Sequence, residues 1–380
     1  ESVAESYAQH LQAGGRQADA VAAILRAGSD HRDQQFFERA LDCFLRGIAW
    51  HDAAPRDQKA EGVEAELHVS AGEVAALLGL PGAERMFSVA LDIASDGGPR
   101  SCEARALLGL GRLYAGRGKL AVARANVEDA VRISRRVGDL GLRVQCLEAL
   151  GEVIHDEGDA DEARRIYAEG LDVAGSRGDL AARMVLGLAN HALRKGDNPA
   201  ALVLLRQALP HAERAGDRVL VGRIVNNIGI ALLDEGRPEE ALAEFRRSLE
   251  LRRGLGYRRG EVINLHNIGD TYFRMGDHPR AWAAFEQSRD LARDSCWDRG
   301  EVLNEVYLAY LRGVRGESTV DSLSTLATQA DRLGEPEAAF TARWFAATLA
   351  GDAAARARVA EDAAAAGLGS LARQLGGSAG

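Results

Sequence analysis

The chain has 380 residues, of which 46% are hydrophobic, 27% charged and only 5% aromatic, and its formal net charge at pH 7 is −9. Its abundant alanine, leucine, arginine and glutamate favour helices, which argues against an all-β sandwich or barrel. A dedicated nucleic-acid binder usually has a basic balance, so a nucleic-acid partner is disfavoured.

The four cysteines, Cys43, Cys102, Cys146 and Cys296, are far apart and form no paired motif. This spacing predicts neither a disulfide framework nor a zinc site and fits a reducing cytoplasm. Apolar runs stay shorter than the ~18 residues that a membrane span needs. Because the chain begins at Glu1, we interpret it as a piece of a larger protein.

Residues 1–54 have the pattern of three helices, near residues 3–13, 16–27 and 33–50. In the third, apolar residues such as Phe37, Leu41 and Phe44 fall on one helical face. We interpret this segment as an N-terminal cap or a degenerate repeat. The stretch from Asp52 to Asp57 is predicted to separate this segment from the repeats that follow.

Residues 55–300 contain about six copies of one pattern. In each copy a small residue, the first marker, ends an apolar stretch. A second marker, usually glycine, follows seven residues later. The marker pairs are Ala71 and Leu78, Gly111 and Gly118, Gly151 and Gly158, Ala189 and Gly196, Gly229 and Gly236, Gly269 and Gly276. Successive first markers are 40, 40, 38, 40 and 40 residues apart, a period typical of helical repeats.

Three linked positions downstream repeat the same residue types. Twelve residues after each first marker stands an alanine: Ala83, Ala123, Ala163, Ala201, Ala241 and Ala281. Four residues further stands a large apolar residue: Phe87, Val127, Tyr167, Leu205, Phe245 and Phe285. Three residues further stands a small one: Ala90, Ala130, Gly170, Ala208, Ser248 and Ser288.

This pattern predicts a helical hairpin in each copy. Apolar residues recur at helical spacing, and the glycine can end the first helix in a left-handed conformation. Small residues allow two helices to approach closely, and the large residue fills the space between hairpins. One hairpin cannot bury its apolar face alone, so neighbouring hairpins stack into a solenoid.

Residues 301–380 depart from the pattern and are predicted to form degenerate repeats, a C-terminal cap and a frayed tail at 376–380. A loop is expected at 313–318, a hairpin at 336–365 and a short helix at 368–375. The apolar segment at 338–350, with Trp344 and Phe345, is either core or a surface for self-association through a terminal helix.

The repeat residues resemble the tetratricopeptide repeat, most closely at 226–249 and 266–289. The common repeat has 34 residues; the ~40-residue form here is similar to that of Pins-type and kinesin-light-chain adaptors and of the sensor arms of bacterial signalling ATPases. The resemblance covers roughly 60–310 and implies an all-α, right-handed superhelical solenoid of stacked antiparallel helix pairs.

Catalytic signatures are missing from the sequence. It has no phosphate-binding loop of the GxxxxGK[ST] type, no HExxH and no GxSxG. Its nine histidines are scattered. We therefore predict no catalytic residues, no metal and no cofactor. An enzyme site assembled only in three dimensions is the remaining alternative.

Six arginines between residues 246 and 259 form the densest charge cluster. It either holds an acidic peptide, a phosphate or nucleic acid, or is a solvated helix end whose cations favour a helix C-terminus. Interleaved glutamates favour the second interpretation. The arginines are Arg246, Arg247, Arg252, Arg253, Arg258 and Arg259.

First-helix residues line a concave groove in the repeats that the sequence resembles. Counting the first marker of each copy as position 8, the resemblance places groove residues at positions 2, 5, 6 and 9, with further residues at 12 or 13. These are Arg183, Asn190, Arg194, Arg223, Asn226, Asn227, Asp234, His266, Asn267, Asp270 and Arg274.

Asn227 and Asn267 share position 6, where related proteins hold an extended peptide backbone. A carboxamide both donates and accepts hydrogen bonds, as a peptide unit does. The alternative is that these asparagines join neighbouring helices. The groove lacks the basic residues of the carboxylate clamp for chaperone C-termini, because the matching positions hold Leu186, Asn190, Asn227, Ile263 and Asn267.

The sequence therefore predicts a cytoplasmic module that binds a protein or peptide in its groove, as the sensor or scaffold arm of a larger bacterial signalling protein. Two alternatives remain open. One is a receptor for a small peptide or ligand that changes superhelical pitch on binding. The other is a scaffold that oligomerises through its end caps.

Overall fold

The computed structural model describes residues 2–55, 59, 62–295, 297–317 and 319–377. Asp57 of the predicted break, Cys296, Ser318 of the predicted loop and residues 378–380 of the predicted tail lie outside the described residues. All regular secondary structure within them is helical, which confirms the predicted all-α class. The helices are α1 Val3–Ala13, α2 Gln17–Asp33, α3 Phe37–Ala53, α4 Val63–Leu78, α5 Ala83–Ser95, α6 Arg100–Ala115, α7 Leu120–Val137, α8 Leu140–Glu157, α9 Ala160–Ala174, α10 Gly178–Lys195, α11 Asn198–Arg214, α12 Arg218–Asp234, α13 Pro238–Arg253, α14 Arg258–Arg274, α15 His278–Asp294, α16 Asp298–Val314, α17 Val320–Leu333, α18 Pro336–Leu349, α19 Ala353–Ala365 and α20 Gly369–Gly377.

Glycines separate the two helices of each pair, as the repeat pattern predicts. Gly196, Gly236 and Gly276 follow the first helices and have φ values of 73°, 75° and 77°. Residues with a side chain rarely adopt this left-handed conformation, whereas glycine enters it without steric cost. In the first copy the break comes one residue later than the marker Leu78, at Gly79, whose φ is 71°.

Large apolar side chains fill the space beside the small markers. The Phe245 ring lies where a Cβ on Gly229 would be, and Phe285 has the same relation to Gly269. Both phenylalanines have no exposed surface. A side chain at either glycine would collide with the ring, so the small residue is required by close helix packing.

The chain divides into two compact units. The first comprises residues 1–153 with Leu255–Tyr257, and the second Ile154–Gly254 with Arg258–Gly380. In the first unit, α1 has the bounds that the sequence predicts, and α2 runs further, to Asp33. The third helix, α3, begins at Phe37 instead of residue 33 and runs to Ala53, into the predicted break. Ala8, Ile24 and Cys43 form part of the small apolar core shared by these helices.

In the second unit the first helices of successive repeats contact one another. The series runs α10, α12, α14, α16 and α18. The second helices α11, α13, α15 and α17 each pack between two first helices, as α13 does between α12 and α14. The first helices therefore form a continuous surface on which the predicted groove residues lie.

The loop expected at 313–318 is shorter than predicted, because α16 continues through Gly313 and Val314. Gly313 packs against Leu349 of α18 so closely that a Cβ there would overlap the leucine. This glycine allows helix packing instead of ending the helix. The chain leaves the helical conformation afterwards, and Gly316 has a φ of 76°.

The hairpin of α18 and α19 and a short final helix α20 form as predicted, but α20 runs through Gly376 and Gly377, so the prediction of a frayed tail was wrong for these two residues. Trp344 and Phe345 of α18 are buried, at 7% and 3% exposure. They share a core cluster with Leu375 of α20. These two aromatic residues are therefore core, and they provide no surface for self-association.

Candidate groove site

The predicted residues lie on three consecutive first helices of the second unit. We call this surface the groove face. It comprises Arg183, Asn190 and Arg194 of α10; Arg223, Asn226, Asn227 and Asp234 of α12; and His266, Asn267, Asp270 and Arg274 of α14.

Asparagine side chains form a hydrogen-bonded row across these helices. Asn267 Nδ2 on α14 donates to Asn226 Oδ1 on α12 at 2.9 Å. Asn226 Nδ2 donates to its neighbour Asn227 Oδ1 at 3.1 Å, and Asn227 Nδ2 donates to Asn190 Oδ1 on α10. The row therefore joins three repeats through side-chain amides, and it fixes the direction in which each amide points.

Asn264 also belongs to this row, although the sequence did not single it out. Its side chain is fully buried, donates to Asn226 Oδ1 at 2.9 Å and accepts from Ser248 Oγ at 3.0 Å. Asn226 is itself only 4% exposed. Asn226 and Asn264 are therefore the buried members of the row. The other three, Asn190, Asn227 and Asn267, are half-buried and reach the surface.

A second row, of charged residues, lies at the C-terminal ends of the first helices. Position 13 of four successive copies holds Asp156, Arg194, Asp234 and Arg274. Arg194 Nη2 lies 2.6 Å from Asp156 Oδ1, and Arg274 Nη1 lies 2.9 Å from Asp234 Oδ1. The alternation of sign produces an ion pair between neighbouring helices. The groove residues predicted from the sequence did not include Asp156, although its distance from the marker Gly151 places it at position 13.

Arg274 also binds a buried carboxylate. Its Nη2 lies 2.8 Å from Asp270 Oδ2, and Asp270 is 7% exposed. Tyr307 OH donates to the other oxygen of Asp270 at 3.5 Å. A buried charge is tolerated only when it is paired and hydrogen-bonded, so Arg274 has a structural role as well as a place on the groove face.

His266 points into an aromatic cluster. Its Nδ1 lies 3.1 Å from Asn304 Oδ1, and its ring centroid is 5.2 Å from that of Tyr307. Burial lowers the pKa of His266 below its ordinary value, so the imidazole is neutral at pH 7. On this face it contributes a packed ring and no charge.

The remaining two arginines lie nearer the start of their helices. Arg183 of α10 forms an ion pair with Asp217, the residue that caps α12. Arg223 is half-buried on α12. The groove face therefore carries both signs of charge.

The arginine cluster at 246–259 has partners within the second unit. Arg247 forms an ion pair with Glu213 at 2.8 Å, and Arg246 donates to Tyr272 OH at 2.7 Å. Arg252 is only 4% exposed and donates to the Gly260 carbonyl at 2.6 Å. Interpreting the whole cluster as a solvated helix end was therefore wrong for Arg252, which is part of the core.

Two clusters in the first unit bring potential metal ligands together: Glu5, His31 and Cys43, and His51, Asp52 and Glu64. In the first, His31 Nε2 lies 2.5 Å from Glu5 Oε1, a hydrogen-bond distance that leaves no space for an ion between these atoms. Burial, with the nearby Glu5 charge, raises the pKa of Cys43 to about 11. The Cys43 thiol is therefore protonated at pH 7 in the metal-free protein.

Comparison with family models identifies the repeats. Two tetratricopeptide repeat models match residues 104–137 and 219–294, which correspond to α6 with α7 and to α12 through α15. The chain therefore contains tetratricopeptide repeats. No curated protein matches its sequence. No described helix of this repeat protein is long and apolar enough to cross a membrane.

Solved structures share this repeat fold at low identity. A Rap protein complexed with competence and sporulation factor has 15% identity and a TM-score of 0.58, over 90% of this chain and 99% of that one. A signal transduction ATPase with a tetratricopeptide repeat sensor from Pyrococcus horikoshii has 14% identity and a TM-score of 0.50, over 88% of this chain and 55% of that one. The Cut9–Hcn1 tetramer of the APC/C has 13% identity and a TM-score of 0.53, over 92% of this chain and 57% of that one. Identities this low show the fold alone.

Proposed function

We propose that the chain binds a protein or peptide segment on the groove face, with Asn190, Asn227 and Asn267 contacting the ligand backbone. The proposal rests on the half-buried row of hydrogen-bonded asparagines. These side chains reach the surface, and their neighbours already hold them in one orientation. Preorganised polar groups bind a ligand with less loss of conformational freedom than mobile ones.

The row keeps hydrogen-bonding capacity for a ligand. A carboxamide has two N–H donors and an oxygen with two lone pairs. In the bonds described above, Asn227 uses one N–H toward Asn190 and accepts one bond from Asn226. Its second N–H and second lone pair match the acceptor and donor of a peptide unit. Joining helices and binding a backbone are therefore compatible roles.

The charges of the groove face favour a partner with both signs. Arg194 and Asp234 alternate with Asp156 and Arg274, so no single sign dominates the helix ends. A strongly basic or nucleic-acid ligand would find no matching field here. We further propose that the chain is the sensor or scaffold arm of a larger bacterial signalling protein, by likeness to the signalling ATPase whose sensor consists of such repeats.

A random peptide library tests the groove directly. Immobilised full chain is used to select dodecapeptides, and the affinity of each selected peptide is measured by fluorescence anisotropy. Each hydrogen bond contributes about 1 kcal/mol net, so the double variant Asn227→Ala/Asn267→Ala should bind the peptides about 10- to 30-fold more weakly.

The matched control removes two carboxamides from exposed positions on second helices. Gln207 and Gln287 lie on α11 and α15 and are exposed. The variant Gln207→Ala/Gln287→Ala should bind as the unchanged chain does. Circular dichroism establishes that both variants remain folded. Equal affinity of all three proteins would place the binding site outside the groove face.

A further inference from the structure

The last helix of the chain already lies against one end of the groove face. α20 contacts its neighbours α18 and α19, and it also contacts α10 of an early repeat in the same unit. The main-chain carbonyl of Arg194 of α10 and the side chain of Asp234 of α12, both predicted groove residues, lie at this contact. The groove face is therefore partly covered by a segment of its own chain.

A hydrogen bond joins α20 to α12. Ser370 Oγ donates to Asp234 Oδ2 at 3.1 Å, while the other oxygen, Asp234 Oδ1, accepts from Arg274 at 2.9 Å. Asp234 thus binds α14 through one oxygen and α20 through the other. A ligand group that took the place of Ser370 at Asp234 Oδ2 would have to displace α20.

An arginine of α20 lies at the C-terminal end of α10. The Arg373 guanidinium lies where a Cβ on Gly196 would be, and Gly369 lies beside the Arg194 carbonyl. Gly196 follows the last residue of α10. A cation at this position interacts favourably with the carbonyl end of the helix, and a Cβ at position 196 would force the guanidinium to move away.

Leucines on the other side of α20 attach it to the C-terminal core. Leu375 is 4% exposed and shares a cluster with Trp344 and Phe345, and Leu371 packs against the same cluster. The contact is small, because α20 has only nine residues and the preceding α19 has one buried residue, Ala363. Isolated helices shorter than about 12 residues are marginal in water, so α20 keeps its helix only while docked.

We propose that α20 is an internal ligand of the groove face, which a partner displaces when it contacts Arg194 and Asp234. This inference rests on the proposed function and adds its regulation. The partner segment that competes best carries the same side-chain chemistry as α20: a hydroxyl residue for Asp234, an arginine for the end of α10 and leucines for the C-terminal core.

Hydrogen exchange on the full chain measures whether α20 is docked. Mass spectrometry follows the amides of residues 366–377 in the unchanged chain, in Arg373→Glu and in Arg358→Glu. Arg358 is an exposed arginine on the adjacent α19, so both variants change charge equally. A carboxylate at the carbonyl end of α10 is repelled, so Arg373→Glu should accelerate α20 exchange roughly three- to tenfold, whereas Arg358→Glu should not.

A peptide supplied in trans tests competition. Fluorescein-labelled peptide with the sequence of residues 366–377 is titrated with full chain. A tethered segment reaches an effective concentration in the millimolar range, so the Arg373→Glu chain should bind the peptide with a dissociation constant of about 0.1–1 mM. The unchanged chain, whose site is filled, should bind about two- to fivefold more weakly.

Three results would overturn the inference. The α20 amides of the unchanged chain could exchange as fast as the free peptide, both arginine variants could exchange alike, or the peptide could bind the unchanged and released chains equally. Because these measurements use only the chain's own sequence, they are independent of the library selection. Failure of one proposal is thus distinguishable from failure of the other.

Discussion

Ser370 and Asp234 are 136 residues apart in the chain and are joined by a hydrogen bond of 3.1 Å. The bond links the final helix to a repeat in the middle of the sequence. Contacts in a solenoid are otherwise made mainly between adjacent repeats. Local opening of α20 and ligand access to α12 are therefore expected to change together.

The first prediction compares two glycines with the same backbone conformation. Gly196 and Gly236 have φ values of 73° and 75°, but only a Cβ at Gly196 would overlap Arg373. Alanine at either position should cost about 1–2 kcal/mol, because a left-handed conformation is strained for it. Only Gly196→Ala should also accelerate hydrogen exchange in α20. Equal α20 exchange in both variants would show that Arg373 is not held at this helix end.

The second prediction compares two glycines within α12. A Cβ at Gly229 would lie 2.6 Å from the ring of buried Phe245, whereas a Cβ at Gly222 would meet nothing nearer than 3.7 Å. Gly229→Ala should lower the free energy of unfolding by about 1–3 kcal/mol through overpacking. Gly222→Ala should raise it by up to about 1 kcal/mol through helix propensity. Urea unfolding followed by circular dichroism measures both, and the same sign for both would contradict the packing described here.

The third prediction compares two arginines at position 13. Arg274→Ala leaves the buried Asp270 carboxylate without its cation, so it should cost about 2–3 kcal/mol of unfolding free energy. Arg194→Ala breaks an ion pair whose side chains are 45% and 43% exposed, and should cost no more than about 1 kcal/mol. The measurement is again urea unfolding. The converse ranking would mean that Asp270 is solvated.

The fourth prediction concerns acid stability. Burial, with the nearby Arg194 and His191, lowers the pKa of His155 from 6.5 to about 4. Between these values the unfolded chain binds a proton that the folded chain does not, so folding stability is complete above about pH 6.5 and falls as the pH drops toward 4. The loss from this residue is about 2–3 kcal/mol.

The variant His155→Gln tests this dependence, because glutamine keeps polarity without a titrating group. Its urea midpoint should fall less than that of the unchanged chain between pH 7 and pH 4.5. Burial also lowers the pKa values of His68 and His266, so part of the dependence should persist. Identical pH profiles of the two proteins would show that His155 does not contribute.

The repeat architecture could be predicted from the sequence because its determinants are local. Glycine at a fixed distance from a small residue marks the end of a first helix, and the buried aromatic positions follow at helical spacing. The prediction of a loop at 313–318 was wrong at its first two residues, which belong to α16, and the reason is physical. Position 313 needs a glycine because Leu349 packs against it. Sequence alone does not distinguish a glycine that ends a helix from one that allows another helix to pack closely.

The groove face could be predicted only in part. The resemblance placed Asn227 and Asn267 on neighbouring helices, but the roles of Asn264 and Asp156 depend on partners about 40 residues away. Arg252 looked like a surface cation, yet its guanidinium lies inside the protein against the Gly260 carbonyl. The position of α20 depends on contacts across several repeats, which no periodic pattern encodes.

The alternating row at position 13 has a consequence for how the array can change length. Removing the single hairpin of α12 and α13 would bring Arg194 beside Arg274, and two cations would then face each other at the helix ends. Removing that hairpin together with the one before it would instead leave Asp156 beside Arg274, with opposite signs restored. Deletion of one hairpin here therefore places like charges at the new junction, whereas deletion of two adjacent hairpins keeps an oppositely charged pair there.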